Sequence, residues 1–159
     1  MRPENSPAIE GRLIIPAVGG LYRAFDGIAD TLIRVSLGAL LLPHGLQKLL
    51  GWFGGKGLAA NTALFEKLGY SNAWFWSNLV VGTEVIGSIL LILGLFTRPA
   101  ALAVGIFAFN ASLFTGGRAG FFWTNGGAEY SILLCVCAVF LLIRGGGAFS
   151  LDRAMGREF

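Results

Sequence analysis

One carboxylate, Glu84, stands alone in the long apolar run from Ala73 to Phe96. A charge at the centre of a hydrocarbon layer costs about 2.5–3.5 kcal/mol on insertion scales, so an acid there needs a proton, a partner or a watery cavity. Counted from Trp74 at 1.5 Å per residue, Glu84 lies roughly 15 Å into such a layer. In the preceding apolar stretch, His44, Gln47 and Lys48 are spaced three and four residues apart and share one helix face. The same count puts His44 and Asn110 about 10 Å below that surface, with Gln47, Lys48 and Glu129 nearer the rim. These residues suit a polar pocket in one half of a membrane, where His44 and Glu84 handle protons. Trp52 and Trp123 would stack there on a flat ring such as a quinone. The alternative is that Glu84, His44 and Asn110 hydrogen-bond across helices and fix packing, at about 0.6–2 kcal/mol each.

Other chemistries find little support. The run Gly51-Trp52-Phe53-Gly54-Gly55-Lys56-Gly57 lacks the glycine spacing and the Ser/Thr after lysine of a phosphate loop. Cys135 and Cys137 sit two apart and point about 200° away from each other on a helix, which rules out an intrahelical disulfide and a CxxC redox pair. A single histidine and no clustered thiolates argue against zinc or haem. The sequon Asn110-Ala111-Ser112 falls inside an apolar run, out of reach of glycosylation. No metal is expected, and no cofactor is evident in the chain beyond the quinone that the pocket suggests.

The elements that must position these residues follow from composition. Of 159 residues, 55% are hydrophobic and only 13% charged, with a mean hydropathy of +0.69. Soluble domains carry about 25% charged residues, so this chain has too few to cover a water-facing surface. Four apolar stretches run from Asp30 to about Leu50, from Ala73 to Phe96, from the Thr97-Arg98-Pro99 turn to about Thr115, and from about Ala128 to Ile143. Each is long enough to cross a core of about 30 Å, the last being at the short end of the range. Pro99 suits a helix's first position. Leu21, Tyr22, Phe25, Ile28, Ala29 and Leu32 repeat with helical spacing and read as an interfacial helix leading into the first span. Leu58 to Leu68, with Leu64, Phe65 and Leu68 on one side and Gly69 as a cap, reads as a second short helix lying flat on the membrane. Gly82, Gly87 and Gly94 would let the second span approach its neighbours closely. The expected fold is therefore all-α: an integral membrane four-helix bundle with short interfacial helices.

The net charge of +3 is dispersed around apolar segments and does not indicate nucleic acid. Instead it sets topology. Arg2, Arg12, Arg23, Arg34, Arg98, Arg144, Arg153 and Arg157 fall on the side holding both termini, against Lys48, Lys56, Lys67 and Arg118 on the other. Positive residues stay cytoplasmic, which places both termini inside a bacterial-type inner membrane. Trp52, Phe53, Trp74, Trp76, Phe121, Phe122 and Trp123 gather at the outer interface, where amphipathic rings prefer the headgroup layer. Residues 1–29 form a cytoplasmic extension, 30–144 the spanning domain and 145–159 a cytoplasmic tail. Met1 to Gly11 has no apolar signal-peptide core, so the first span itself directs insertion.

Three segments carry a family resemblance: PHGLQKLLGWFGGKGL from Pro43, EVIGSILLILGLFTRPAAL from Glu84 and FFWTNGGAEYSILL from Phe121. In this order, over about Leu32 to Arg153, the chain resembles the DoxX family of small bacterial membrane proteins. The resemblance implies a four-helix inner-membrane protein, named for likeness to the small subunit of a thiosulfate:quinone oxidoreductase and associated elsewhere with sulfur or thiol redox defence. The family's motifs map to His44, Gln47, Lys48, Gly54, Gly55, Glu84, Gly87, Asn125, Gly126, Gly127 and Glu129, with no settled catalytic assignment. Ile86 precedes Gly87 where many relatives have paired glycines. The expected role is a membrane subunit of an electron-transfer assembly, partnered by lipids and other membrane subunits. Its rival is a non-catalytic accessory subunit of a larger respiratory or photosynthetic complex. Topology is directly checkable: alkaline phosphatase fused at the C-terminus should be inactive and a green fluorescent protein fusion bright, and the reverse pattern would invert the orientation.

Overall fold

The computed structural model describes residues 14–157. The reading of Met1 to Gly11 therefore lies outside the described residues. Helix α1 spans Gly19–Leu50, α2 Gly57–Lys67, α3 Ala73–Leu93, α4 Thr97–Ala119, α5 Glu129–Arg144 and α6 Leu151–Ala154. Single 3-10 turns at Pro16–Val18 and Trp123–Asn125 precede α1 and α5, and no strand occurs among the described residues. The fold is the expected all-α membrane bundle: α1 packs along α3, α4 along α5, and α3 against α4. The helices α3 and α4 are both long and apolar enough to span a membrane. At 32 residues α1 has length to spare, whereas α5, with 16, reaches only about 24 Å.

The expected interfacial helix and first span are one continuous helix, since nothing between Ala29 and Leu32 breaks the backbone pattern. Pro43 sits within α1, where it has no N–H to offer the Ala39 carbonyl. Pro99 falls at the third residue of α4 and not the first, still within the turn whose N–H groups lack helical partners.

Close approach between α1 and α3 sets the bundle's register. A Cβ on Gly38 would lie 2.7 Å from the Ser88 carbonyl oxygen, and one on Gly45 2.7 Å from Val85 Cγ2 and 3.0 Å from Glu84 Cβ. The glycines that let α1 and α3 meet are thus mainly those of α1. On α3, Gly87 does meet α4, 2.9 Å from Val104 Cγ2, but Gly82 faces open space, so the expectation for it fails. Because Gly45 lies opposite Glu84, α3 continues for six or seven residues, about 10 Å, past the end of α1. Helix α2 fills that step. It packs against α3 and α1, with Asn61 buried and donating from Nδ2 to Ser77 Oγ at 2.8 Å. Of the side expected to be apolar, Phe65 and Leu68 are half-buried on the same face as Asn61, whereas Leu64 is exposed.

The core is built from Leu37 and Leu41 of α1, Leu91 of α3, four small residues of α4 and Leu134, Ala138 and Leu141 of α5. Outward-facing Ile86, Leu102, Ile106, Leu113, Leu133 and Val136 remain exposed, as suits helices solvated by lipid.

At the arginine-rich end, three arginines counted as topology flanks bind backbone or carboxylate. Arg34 is buried, and its guanidinium donates to the carbonyls of Leu91, Ile92, Gly146 and Phe149 at 2.5–3.0 Å. It thereby serves carbonyls of α3's last turn, of which Leu91's also accepts the Gly94 N–H. Arg98 donates to the Leu142 carbonyl near the end of α5 at 3.1 Å, and Arg144 grips Asp30 through two oxygens, the shortest contact being 2.8 Å. Asp152 is buried too, accepting the N–H groups of Phe96 and Thr97 at 2.8 Å each and so capping α4. Phe96 has φ +48, uncommon for a residue with a Cβ, and the bond to Asp152 holds that turn. The segment after α5 is therefore part of the bundle's packing. Replacing Arg34 with Leu, which takes the donor from the Ile92, Gly146 and Phe149 carbonyls, should cost about 1–3 kcal/mol for each that stays buried without a partner. Thermal unfolding followed by size-exclusion fluorescence should show this as a large drop in Tm, and an unchanged Tm would contradict the assignment.

Candidate functional site

The register imposed by Gly38 and Gly45 brings Lys48, one turn beyond Gly45, alongside Glu84. Lys48 Nζ donates to Glu84 Oε1 in a close ion pair. Only 1% of the Glu84 side chain is exposed, while Lys48 keeps 32%. Depth counting along the sequence puts Lys48 nearer the rim, well above Glu84. The correction comes from α1 ending short of α3, which lowers its last turn to the depth of the acid. The intramembrane carboxylate thus has a partner. Its second oxygen, Oε2, is buried without a hydrogen bond among the described residues. Ser88, fully buried one turn further along, donates its hydroxyl to the Glu84 carbonyl. On its other side, the Lys48 ammonium lies 5.6 Å from the centre of the Phe107 ring of α4.

Two surfaces meet at Lys48. The first is a cleft of about 220 Å³ between the end of α1, the Gly51–Gly57 loop and α2, lined by Gln47, Lys48, Lys56 and Asn61 among others. Its shape follows from glycines: a Cβ on Gly55 would lie 2.3 Å from the Gln47 carbonyl oxygen. The loop therefore folds back onto α1, where Gln47 Nε2 donates to the Phe53 carbonyl at 3.0 Å. The second surface carries His44, exposed and 5.9 Å from the Tyr130 ring of α5 at a tilt of 44°. Among the described residues His44 makes no hydrogen bond, so the ion pair and the imidazole are one helical turn apart without a direct link.

The remaining candidates separate from this centre. Asn110 is exposed and donates back to the Ile106 carbonyl of its own helix at 2.8 Å, so it does not join the pocket. Trp52 lies edge-on to Phe53 with ring centres 6.3 Å apart, and Trp123 sits in the turn before α5. Both indoles are more than half exposed. Asn125 is exposed in the turn that Gly126 and Gly127 complete: a Cβ on Gly127 would be 2.5 Å from the Gly120 carbonyl oxygen. Glu129 opens α5, where a carboxylate favours the positive end of the helix dipole. The residue that sequence reasoning misses is Asn61. It lies three and four residues before Leu64 and Phe65, on the very face assigned to apolar contact, and a polar residue in that stripe is the available signal.

Comparison with known proteins agrees with this architecture. The DoxX family model matches residues 29–117, from just before Asp30 through most of α4. A Haemophilus influenzae protein without an assigned function is 32% identical over 129 residues, covering 76% of this chain and 85% of its own length. An uncharacterized membrane protein of Mycobacterium tuberculosis is 29% identical over 136 residues, covering 79% and 80%. CatD of Bacillus subtilis, whose name proposes an oxidoreductase, is 26% identical over 132 residues, covering 83% and 90%. No solved structure matches the chain significantly. The chain belongs to the DoxX family and is a membrane protein. The family match contains His44, Gln47, Lys48 and Glu84 and ends before the Phe121–Leu134 motif.

A buried charge left alone costs more than a pair removed together. Lys48→Met should therefore lower Tm more than the Lys48→Met/Glu84→Gln double variant does. The thermodynamic cycle should give a coupling of about 0.5–3 kcal/mol, and additive effects would mean that the pair does not form.

Proposed function

We propose that this DoxX protein is an inner-membrane subunit of an electron-transfer assembly, quinone-linked or linked to sulfur or thiol redox chemistry, with both termini cytoplasmic. The observation that carries the reading is the Lys48–Glu84 ion pair: a proton-exchanging carboxylate buried in a lipid-solvated bundle, reached through a lysine that is itself one-third exposed. Its setting adds support. Exposed His44 and half-buried Tyr130 form an aromatic surface one turn from Lys48, suited to the edge or face of a quinone ring, and CatD's name proposes an oxidoreductase. In this role Lys48 and His44 hydrogen-bond a head-group carbonyl, and Glu84 exchanges the proton that accompanies electron transfer. The electrons come from partner subunits that hold the metal or flavin.

The proposed quinone contact centres on His44 and Tyr130, whose rings lie 5.9 Å apart, while Trp52 and Trp123 are both more than half exposed. The same exposed aromatic end, with Trp74 and Phe121 also open, favours a second reading as an accessory subunit whose rings bury against a neighbour. Binding of a short-chain quinone to the purified protein, followed by tryptophan quenching, separates the two. His44→Ala should weaken it about tenfold. Unaltered quinone affinity, together with loss of a co-purifying complex in Trp52→Ala, would establish the accessory role instead.

A further inference from the structure

The cleft beside α2 has two lysines and no carboxylate among its lining residues. Lys48 and Lys56 both line it, and so does Gly57, the first residue of α2. That helix has 11 residues, and no side chain caps its N-terminus. Uncapped N–H groups and the dipole behind them attract negative charge. Lys48, Lys56 and the start of α2 thus line a cleft of about 220 Å³, and no carboxylate is among its lining residues; the Lys48 ammonium itself rests on Glu84.

The ion pair makes this more than a patch of charge. Glu84 has one ionic partner, Lys48, and its second oxygen has none. The charged groups on the surrounding elements do not substitute. On α1, His44 lies beside the Tyr130 ring of α5, and Lys56, just before α2, lines the cleft. From α4 the nearest neighbour is the uncharged Phe107 ring, while Arg118 rests on Phe114, and Glu129 of α5 stands at that helix's first turn. If Lys48 turns toward an anion in the cleft, the carboxylate behind it is left in hydrocarbon with no counter-charge, a state too costly to persist.

We infer that the cleft binds a small anionic group, and that binding is coupled to uptake of one proton by Glu84. The Lys48 ammonium moves from Glu84 to the anion, and a proton from solvent takes its place on the carboxylate, so the buried charge stays balanced throughout. The anion is either a soluble oxyanion or the headgroup of an anionic lipid, since both present the same negative oxygens. This inference rests on the ion pair and the cleft and not on the electron-transfer role, so absence of quinone binding leaves it standing.

The test uses the full-length protein in phosphatidylcholine nanodiscs, titrated with inorganic sulfate by calorimetry in two buffers of different ionisation enthalpy. Wild type should take up about one proton per sulfate bound. Glu84→Gln should bind with no uptake, and Lys56→Ala should bind about tenfold more weakly with uptake retained. Incorporating phosphatidylglycerol distinguishes the source: weakened sulfate binding identifies the headgroup as occupant, and unchanged binding a soluble anion. Sulfate binding without proton uptake in wild type, uptake that survives Glu84→Gln, or no binding in phosphatidylcholine would each overturn the inference. Size-exclusion profiles of the two variants, matched to wild type, exclude misfolding as the cause.

Discussion

The distance between two helix backbones governs the rest of this molecule. Gly38 and Gly45 let α1 lie directly on α3, and at those positions any Cβ would strike backbone or side chain within 2.7 Å. Lipid tails are as apolar as leucine, so helices in a membrane associate through close van der Waals contact more than through water exclusion. Contact at Gly45 fixes the sliding register, and the register sets Lys48 against Glu84. It also leaves α3 extending beyond α1, creating the step that α2 and its glycine loop occupy. The cleft and the ion pair are thus two results of one packing constraint.

Opposite ends of the bundle treat charge differently. At the arginine-rich end, Arg34, Arg144, Asp30 and Asp152 are saturated: each guanidinium or carboxylate meets carbonyls, N–H groups or its opposite charge in more than one bond. Such networks hold a single geometry because every alternative strands a buried group. At the other end, Glu84 has one ionic partner and one idle oxygen, and that partner borders an open cleft. A saturated network suits a structural anchor, whereas an under-bonded pair can exchange partners. That contrast directs attention to Lys48 and Glu84 as the functional centre.

Much of the architecture is legible because membrane solvation writes length and hydropathy plainly into a sequence. The spans, the helix over Gly57–Lys67 and the left-handed cap at Gly69 all follow from apolar runs and breakers. The individual polar residues are legible as well, since Glu84, Gln47 and Lys48 stand out against their surroundings. Their mutual placement is not. Counting along an axis gives depth within one helix but not the offset between two, so it sets Lys48 near the rim, and only the contact of Gly45 with Glu84 supplies the true level. Nor does depth give azimuth: Asn110 shares a level with His44 but turns outward to Ile106. Arg34 reads as a flanking charge because sequence shows no acceptors for it; those it uses are backbone carbonyls brought in from two separate segments, the end of α3 and the stretch after α5.

The functional centre requires Glu84 to be ionised in the resting protein, with Lys48 of the adjacent helix as its counter-charge. Infrared difference spectra of the ligand-free protein at neutral pH, wild type against Glu84→Gln, report this directly. The difference should contain a carboxylate band assignable to Glu84 and no protonated-carboxyl band. A protonated-carboxyl band lost on substitution would contradict it, because the acid would then be neutral and Lys48 would not be its partner.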